Sequence, residues 1–224
     1  MNYTKLDGCG NDFIVLKSAV IQLNSTVARI LCDRQHGIGA DGIIVVDPSK
    51  DQDATMTIYN SDGSVPEMCG NGIRCMVKFM CDEGLLTQTN TRIQTGAGVI
   101  QCDVQSNDGD TAQIKVTMGA PILRPSDIPV RLPEGHHDIV DIPFRIHGQD
   151  MFFTAVSMGN PHAVCFVDDV SMVELSQLGP LMETHPHFPN KTNVEFVQVV
   201  SPSHLKMMVW ERGAGETQAC GTGA

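Results

Sequence analysis

Short runs of β-branched and other apolar residues, each closed by Gly, Asn, Asp or Pro, recur along most of the chain. Runs of that length and composition read as strands. They predict strands at Phe13–Leu16, Gly42–Asp47, Thr55–Tyr59, Gly98–Val104, Gln113–Thr117, Met151–Val156, Ala163–Val167, Val194–Val200 and Leu205–Trp210. Three segments have helical spacing instead. Thr26–Asp33 follows Asn24-Ser25, which can cap it. Met172–His185 follows a candidate cap at Ser171, and Pro180 is expected to kink or split it. In the third, Ile73, Met76, Val77 and Met80 fall at i, i+3, i+4 and i+7, and Cys75, Phe79 and Cys81 carry the apolar surface almost all round. A helix apolar on most faces runs inside a fold. Its N-terminal N–H groups, just after Cys69-Gly70-Asn71-Gly72, then need an indoor partner, and a ligand anion is one.

The pattern repeats. Tyr59-Asn60 precedes Cys69-Gly70-Asn71-Gly72 by the interval that separates Trp210-Glu211 from Cys220-Gly221-Thr222-Gly223. Gly10-Asn11 has a counterpart in Gly159-Asn160, and Ala40-Asp41 in Thr192-Asn193. Four collinear pairs at one spacing read as a duplicated domain. Pro121, Pro125, Pro129 and Pro133 mark the join, giving expected domains 1–120 and 121–224. By the logic of the repeat, the second domain is expected to be truncated at Ala224, about 45 residues short. Its sheet would then bare a face built from residues such as Val194, Phe196, Val209 and Trp210.

Composition narrows the class of protein. With 224 residues, 42% of them hydrophobic, the chain can bury one large core or two small ones. A net charge of −11 argues against nucleic acid as a partner. No apolar run reaches transmembrane length, and Met1-Asn2-Tyr3-Thr4-Lys5-Leu6 lacks the apolar core of a signal peptide. These features argue against a membrane partner and give a cytoplasmic expectation. The eight cysteines are expected to be thiols, and without any C-x-x-C pair they make no zinc site. Cys32, Cys75, Cys81, Cys102 and Cys165 read as small buried hydrophobes, and Cys9 as a packing residue.

Cys69 and Cys220 stand apart. Each follows a strand through a loop and opens a glycine-rich turn at the expected start of a helix. Glycines there let backbone N–H groups approach a ligand, and a helix N-terminus favours a carboxylate or a thiolate. Two such thiols facing one cavity are what inversion of a stereocentre needs: one removes a proton, the other returns one to the opposite face.

Met68–Cys75 and Glu211–Gly223 resemble the two signature motifs of diaminopimelate epimerase. The resemblance extends over essentially the whole chain, through Gly10–Phe13, Gly39–Gly42, Tyr59–Gly63, Met158–His162 and Thr192–Phe196. It implies an α+β fold of two pseudo-symmetric domains, each a curved, mostly antiparallel sheet around a central helix. It implies interconversion of L,L- and meso-diaminopimelate, without cofactor or metal. Carried onto this sequence, Cys69 and Cys220 become the acid–base pair, supported by His162 and Glu211. Gly70, Asn71, Gly221 and Thr222 would bind the α-carboxylate; Asn11, Asn60, Asn160, Asn193, Glu211 and Arg212 would hold the remaining polar groups. A racemase of proline or histidine type and an inactive truncated fragment are the alternatives. The expected partner is the small amino-acid substrate, and a homodimer is an expectation that the sequence leaves open.

Overall fold

The protein is described by a computed structural model covering residues 2–18 and 22–224. Met1, the first of the polar N-terminal residues used above, lies outside the described residues. The chain divides into two compact units, Met1–Met118 and Gly119–Ala224.

The first unit is a sheet of seven strands lying in sequence order: β1 (Thr4–Gly8), β2 (Asn11–Lys17), β3 (Gly42–Asp47), β4 (Ala54–Asn60), β5 (Asn90–Thr95), β6 (Gly98–Asn107) and β7 (Ala112–Thr117). β1 and β2 pair antiparallel around Cys9-Gly10, both at positive φ (55° and 89°), as a two-residue hairpin turn demands. β2 and β3 pair parallel through the crossover helix α1 (Ser25–Cys32), and β3 and β4 antiparallel. The predicted cap of α1 is Asn24, whose side chain accepts from the N–H groups of Thr26 and Val27. The second helix, α2 (Gly70–Asp82), runs through the middle: β1–β4, β6 and β7 all pack on it, so the sheet curls around it. Its Ile73, Met76, Val77 and Met80 meet Phe13, Val15, Ile44, Met56, Ile58 and Ile93 of the sheet. The other face of β2 and β3 supplies Ile14, Leu16, Ile43 and Val45 to a core with Ala28 and Cys32 of α1. Burial on both faces explains why these two strands read as unbroken apolar runs.

In the second unit the sheet order is β13-β12-β11-β10-β9-β8, built from β8 (Ile142–Ile146), β9 (Gln149–Ser157), β10 (Pro161–Phe166), β11 (Asn193–Ser201), β12 (His204–Glu211) and β13 (Gly215–Thr217). β9–β10 are antiparallel, β10–β11 parallel across α3 (Leu175–Glu183), and β11–β12 antiparallel. That is the same run of pairings as β1 to β4, which carries the sequence repeat into topology. After Cys220, residues 221–223 form a turn. No described helix is long and apolar enough to cross a membrane.

Four strands were invisible to the pattern. β5 turns Thr91, Ile93 and Thr95 inward, so two of its three buried positions are polar. β8 carries Pro143, which an edge strand tolerates because the missing N–H faces no neighbour. β1 is a short edge strand and β13 has three residues. The expected helix from Met172 is shorter: Asp169, not Ser171, caps a 3₁₀ turn over Val170–Met172, and α3 begins at Leu175. Pro180 neither splits nor ends it, because the carbonyl it leaves without a donor belongs to exposed Ser176. The bared face of the second sheet is also not the expected one. Val194, Phe196 and Val209 are buried, the first two against α3, whereas Phe152, Phe166, Val199 and Leu205 are each about 60% exposed. The side chains alternate along each strand, and α3 covers the face opposite to these four.

Cys32, Cys75, Cys102 and Cys165 are buried as expected, Cys81 is half-buried, and Cys9 is exposed at the hairpin tip rather than packed. Burial pushes the thiols of Cys75, Cys102 and Cys165 up to about 12. An unfolded chain begins to lose these protons near pH 9, while the fold retains them. Stability is therefore complete below pH 9 and falls as pH climbs toward 12, by about 1.4 kcal/mol per pH unit for each such thiol. Urea unfolding of the first unit, followed at pH 8 and pH 10.5, should reveal a loss of several kcal/mol from Cys75 and Cys102; an unchanged midpoint contradicts this account.

Candidate active site

Strand register gathers the site residues of each unit. In the first, parallel pairing sets Phe13 beside Gly42, and antiparallel pairing sets Gly42 beside Asn60. The start of β2, the start of β3 and the end of β4 thus share one end of the sheet, with Asn11, Asp41 and Asn60 upon it. Asn11 is buried and held at both ends: its Nδ2 donates to Asp41 Oδ2 at 3.1 Å, and its Oδ1 accepts from Asn71 Nδ2 at 2.7 Å. Asp41 is itself fixed by the Asp12 N–H and by Arg34 at 2.6 Å. Arg34 and Lys5 also clasp Asp12, and the Arg34 guanidinium above all holds that carboxyl well below the ordinary carboxylate range. Asn60 Nδ2 donates to Ser64 Oγ at 3.0 Å, which closes the turn after β4.

Cys69 is the N-cap of α2. Its backbone is extended, and its Sγ accepts from the Gly72 N–H at 3.3 Å. Sulfur stands where Ser or Asp oxygen usually does. The thiol is half-buried, and the turn after it, Gly70-Asn71-Gly72, is buried.

The second unit repeats this device. His162 pairs with Asn193, and Val194 with Trp210, so Asn160, Asn193 and Glu211 share the equivalent sheet end. Asn160 Nδ2 donates to Thr222 Oγ1 at 3.2 Å; the equivalent bond in the first unit runs the other way, from Asn71 to Asn11. Thr222 Oγ1 lies 3.5 Å from Cys220 Sγ, with Gly221 between the two residues. The Gly223 N–H favours the Cys220 thiolate from the position, three residues on, that Gly72 holds relative to Cys69. Asn193 spends its amide on backbone, donating to Pro161 O and accepting from the Arg212 N–H, each at 2.9 Å. It therefore fixes Arg212, whose guanidinium reaches Asn190 O at 3.4 Å. Glu211 Oε1 accepts from Thr217 Oγ1 at 2.6 Å.

The two thiols are not alike. Cys220 is buried, and burial, reinforced by the Glu211 and Glu195 carboxylates, drives its pKa far above the ordinary thiol value. The Thr222 hydroxyl and the Gly223 N–H oppose this only in part. At Cys220, desolvation and two nearby carboxylates outweigh the few N–H donors of the turn.

Sequence reading missed Glu195, which is fully buried and bonds His162 Nδ1 at 2.6 Å. The signal was present: an acidic residue in the middle of an apolar strand. It also missed the orienting roles of Asp41, Arg34 and Thr217, for which nothing in the local pattern speaks. Ligand atoms of His162, Glu195 and Cys220 lie within 4.8 Å of one another. The His162–Glu195 hydrogen bond already engages two of the three, so the cluster suits proton handling better than a metal.

Comparison with known proteins follows the same line. A hydroxyproline epimerase from Agrobacterium vitis superposes with a TM-score of 0.71 at 16% identity, over 97% of this chain and 72% of that one. The likeness is one of fold, and in this chain a cysteine opens the same kind of glycine-rich turn in both halves. The sequence model of diaminopimelate epimerase matches residues 3–123 and 154–224. The diaminopimelate epimerase of Carboxydothermus hydrogenoformans is 48% identical over 229 residues, spanning 100% of this chain and 81% of its own length. That of Acaryochloris marina is 50% identical over 231 residues, spanning 100% and 80%. The chain belongs to the diaminopimelate epimerase family.

The thiol environments can be read out by alkylation. At pH 8, exposed Cys9 should react with iodoacetamide well before Cys220. Replacing Glu211 by Gln removes one carboxylate that keeps Cys220 protonated, and should speed its alkylation at pH 9 by about threefold or more. Peptide mass spectrometry that finds Cys220 reacting first, or unmoved by Glu211→Gln, contradicts the electrostatic reading.

Proposed function

We propose that this chain interconverts L,L- and meso-diaminopimelate, in lysine and cell-wall precursor biosynthesis, with Cys69 and Cys220 as its acid–base pair. One observation carries the reading. In both units a cysteine opens a turn with glycine three residues on, and in both the side chain two residues on is bonded to an asparagine at the polar end of the sheet. A single acid–base centre has no use for a duplicate; inversion needs two.

In the proposed reaction one cysteine, as thiolate, takes the α-proton, and the other, as thiol, delivers a proton to the opposite face. Roles exchange in the reverse direction. The burial and carboxylates that push the Cys220 thiol up suit it to start as the acid. No electron sink takes up the carbanion charge, so donors aimed at the substrate carboxylate must bear it. Gly70, Asn71, Gly221 and Thr222 supply those donors from the two turns. Asn11 and Asn160 set the two turns. Asn60, Glu211 and Arg212 recognise the distal amino-acid group, with Asn193 anchoring the Arg212 backbone. A bidentate arginine and an acid suit a second carboxylate and a second ammonium. The names of the relatives support this choice of substrate.

Replacing either cysteine by alanine should lower turnover of diaminopimelate by about 10³-fold or more in both directions, with the circular dichroism unchanged. The sequence has no C-x-x-C or H-x-x-x-H pair to hold a metal, so prolonged treatment with a chelator should leave the wild-type rate within about twofold. Near-normal turnover by Cys69→Ala or Cys220→Ala would rule the two-thiol assignment out.

A further inference from the structure

Two thiols and their N–H donors suffice, on paper, for proton abstraction and return. The second unit nonetheless buries a further acid beside Cys220. Glu195 sits in β11 between Val194 and Phe196, and both it and His162 are completely buried. Glu195 in turn pushes up the thiols of Cys165 and Cys220, and Glu211 acts on Cys220 alongside it. An acidic side chain so placed costs stability unless its partner is well matched.

The hydrogen bonds define what the pair holds. Asn160 sends its Nδ2 to Thr222 Oγ1, so its Oδ1 is left to accept from His162 Nε2 at 3.1 Å. With a hydrogen on Nε2, the Nδ1 side of the ring has two states. It donates to a Glu195 carboxylate, or it accepts from a Glu195 carboxylic acid. In either state one proton lies on the 2.6 Å line between Nδ1 and Glu195 Oε1. Burial pushes the Glu195 carboxyl up and the imidazole pulls it back, as sharing of one proton requires. Glu195 Oε2 has no hydrogen-bond partner among the described residues, so the carboxyl's whole hydrogen-bonding effort goes to His162. The backbone is built around this carboxyl: a Cβ on Gly223 would sit 2.4 Å from Glu195 Oε1, so the turn after Cys220 must carry glycine there.

We propose that Glu195 is a positioning residue of the epimerase: acting through His162, it fixes the ring's tautomer and orientation and, along Asn160 and Thr222, the setting of the Cys220 thiol. The chain runs Glu195, His162, Asn160, Thr222, Cys220 without a gap. A carboxylate that orients an imidazole in this way is a familiar means of holding one tautomer. The inference rests on the epimerase reading above.

Glu195→Gln keeps the shape and offers His162 a hydrogen bond from either amide atom, but cannot share a proton. It should lower kcat on diaminopimelate by about 10²-fold or more with KM within about threefold, since the group touches no substrate. Loss of the carboxylate also removes a charge that pushes the Cys220 thiol up, so the pH–rate profile should move to lower pH. The double variant Glu195→Gln/His162→Gln should be no slower than His162→Gln alone, because the proposed positioning runs through the ring. Additive losses in the double variant, full activity in Glu195→Gln, or slow turnover with an unmoved pH profile and a lowered melting temperature would each overturn the proposal. A readout without activity uses the wild type: ¹⁵N spectra of the His162 ring should find Nε2 protonated and a far-downfield proton on Nδ1. A ring with an unprotonated Nε2 overturns the proposal even where wild-type turnover is normal, whereas a wild type that does not epimerise diaminopimelate overturns the epimerase reading instead.

Discussion

The parallel pairing inside each unit is the constraint on which the rest depends. An antiparallel neighbour alone would send the start of one strand to meet the end of the next. The crossovers through α1 and α3 instead bring the starts of β2 and β3, and of β10 and β11, side by side. The antiparallel return of β4 and of β12 then adds a strand end to the same edge. Three chain segments far apart in sequence converge there, and the loop that follows carries the cysteine. Because pairing is enforced by cores on both faces of β2 and β3, the polar end inherits the rigidity of the apolar middle.

From the same scaffold the two units derive different thiols. Cys69 caps a full helix whose sides are wrapped by the sheet, with Asn11 locked between Asp41 and Asn71. Cys220 is buried against carboxylates, with a histidine, an asparagine and a threonine linked in series beside it. A duplicated fold gives the approximate symmetry that inversion needs; the substitutions between copies, Asn60 for Glu211 and Asn71 for Thr222, break it. That asymmetry suits a substrate whose two ends differ once it is bound.

Much of this was legible in the chain. The period of Ile73–Met80 and the apolar flank of Cys75, Phe79 and Cys81 announced a buried helix, and the interval from Asn60 to Cys69 announced the repeat. The fold hides the rest for physical reasons. β5 buries threonines, which a count of apolar residues scores as solvent-facing. The bared face of the second sheet depends on which face α3 covers, and strand alternation alone carries no such information. Cys9 looked like filler because its neighbours are glycines; it stands at a turn that requires positive φ. Asp41 was legible only as a member of a motif, and Glu195 as that and as an acid in an apolar strand. Their work is on other side chains, and a partner across a sheet cannot be seen from one strand.

The central claim is that two different groups handle the proton on the two faces of the α-carbon. Early conversion of L,L-diaminopimelate in heavy water tests it most directly. With two thiols, each meso product should carry one solvent deuterium at the inverted carbon while the remaining L,L substrate stays unlabelled, because the proton removed and the deuteron delivered reside on separate sulfurs. Equal deuterium in recovered substrate and product at the first few per cent of conversion, or a product that keeps its original proton, would contradict the account.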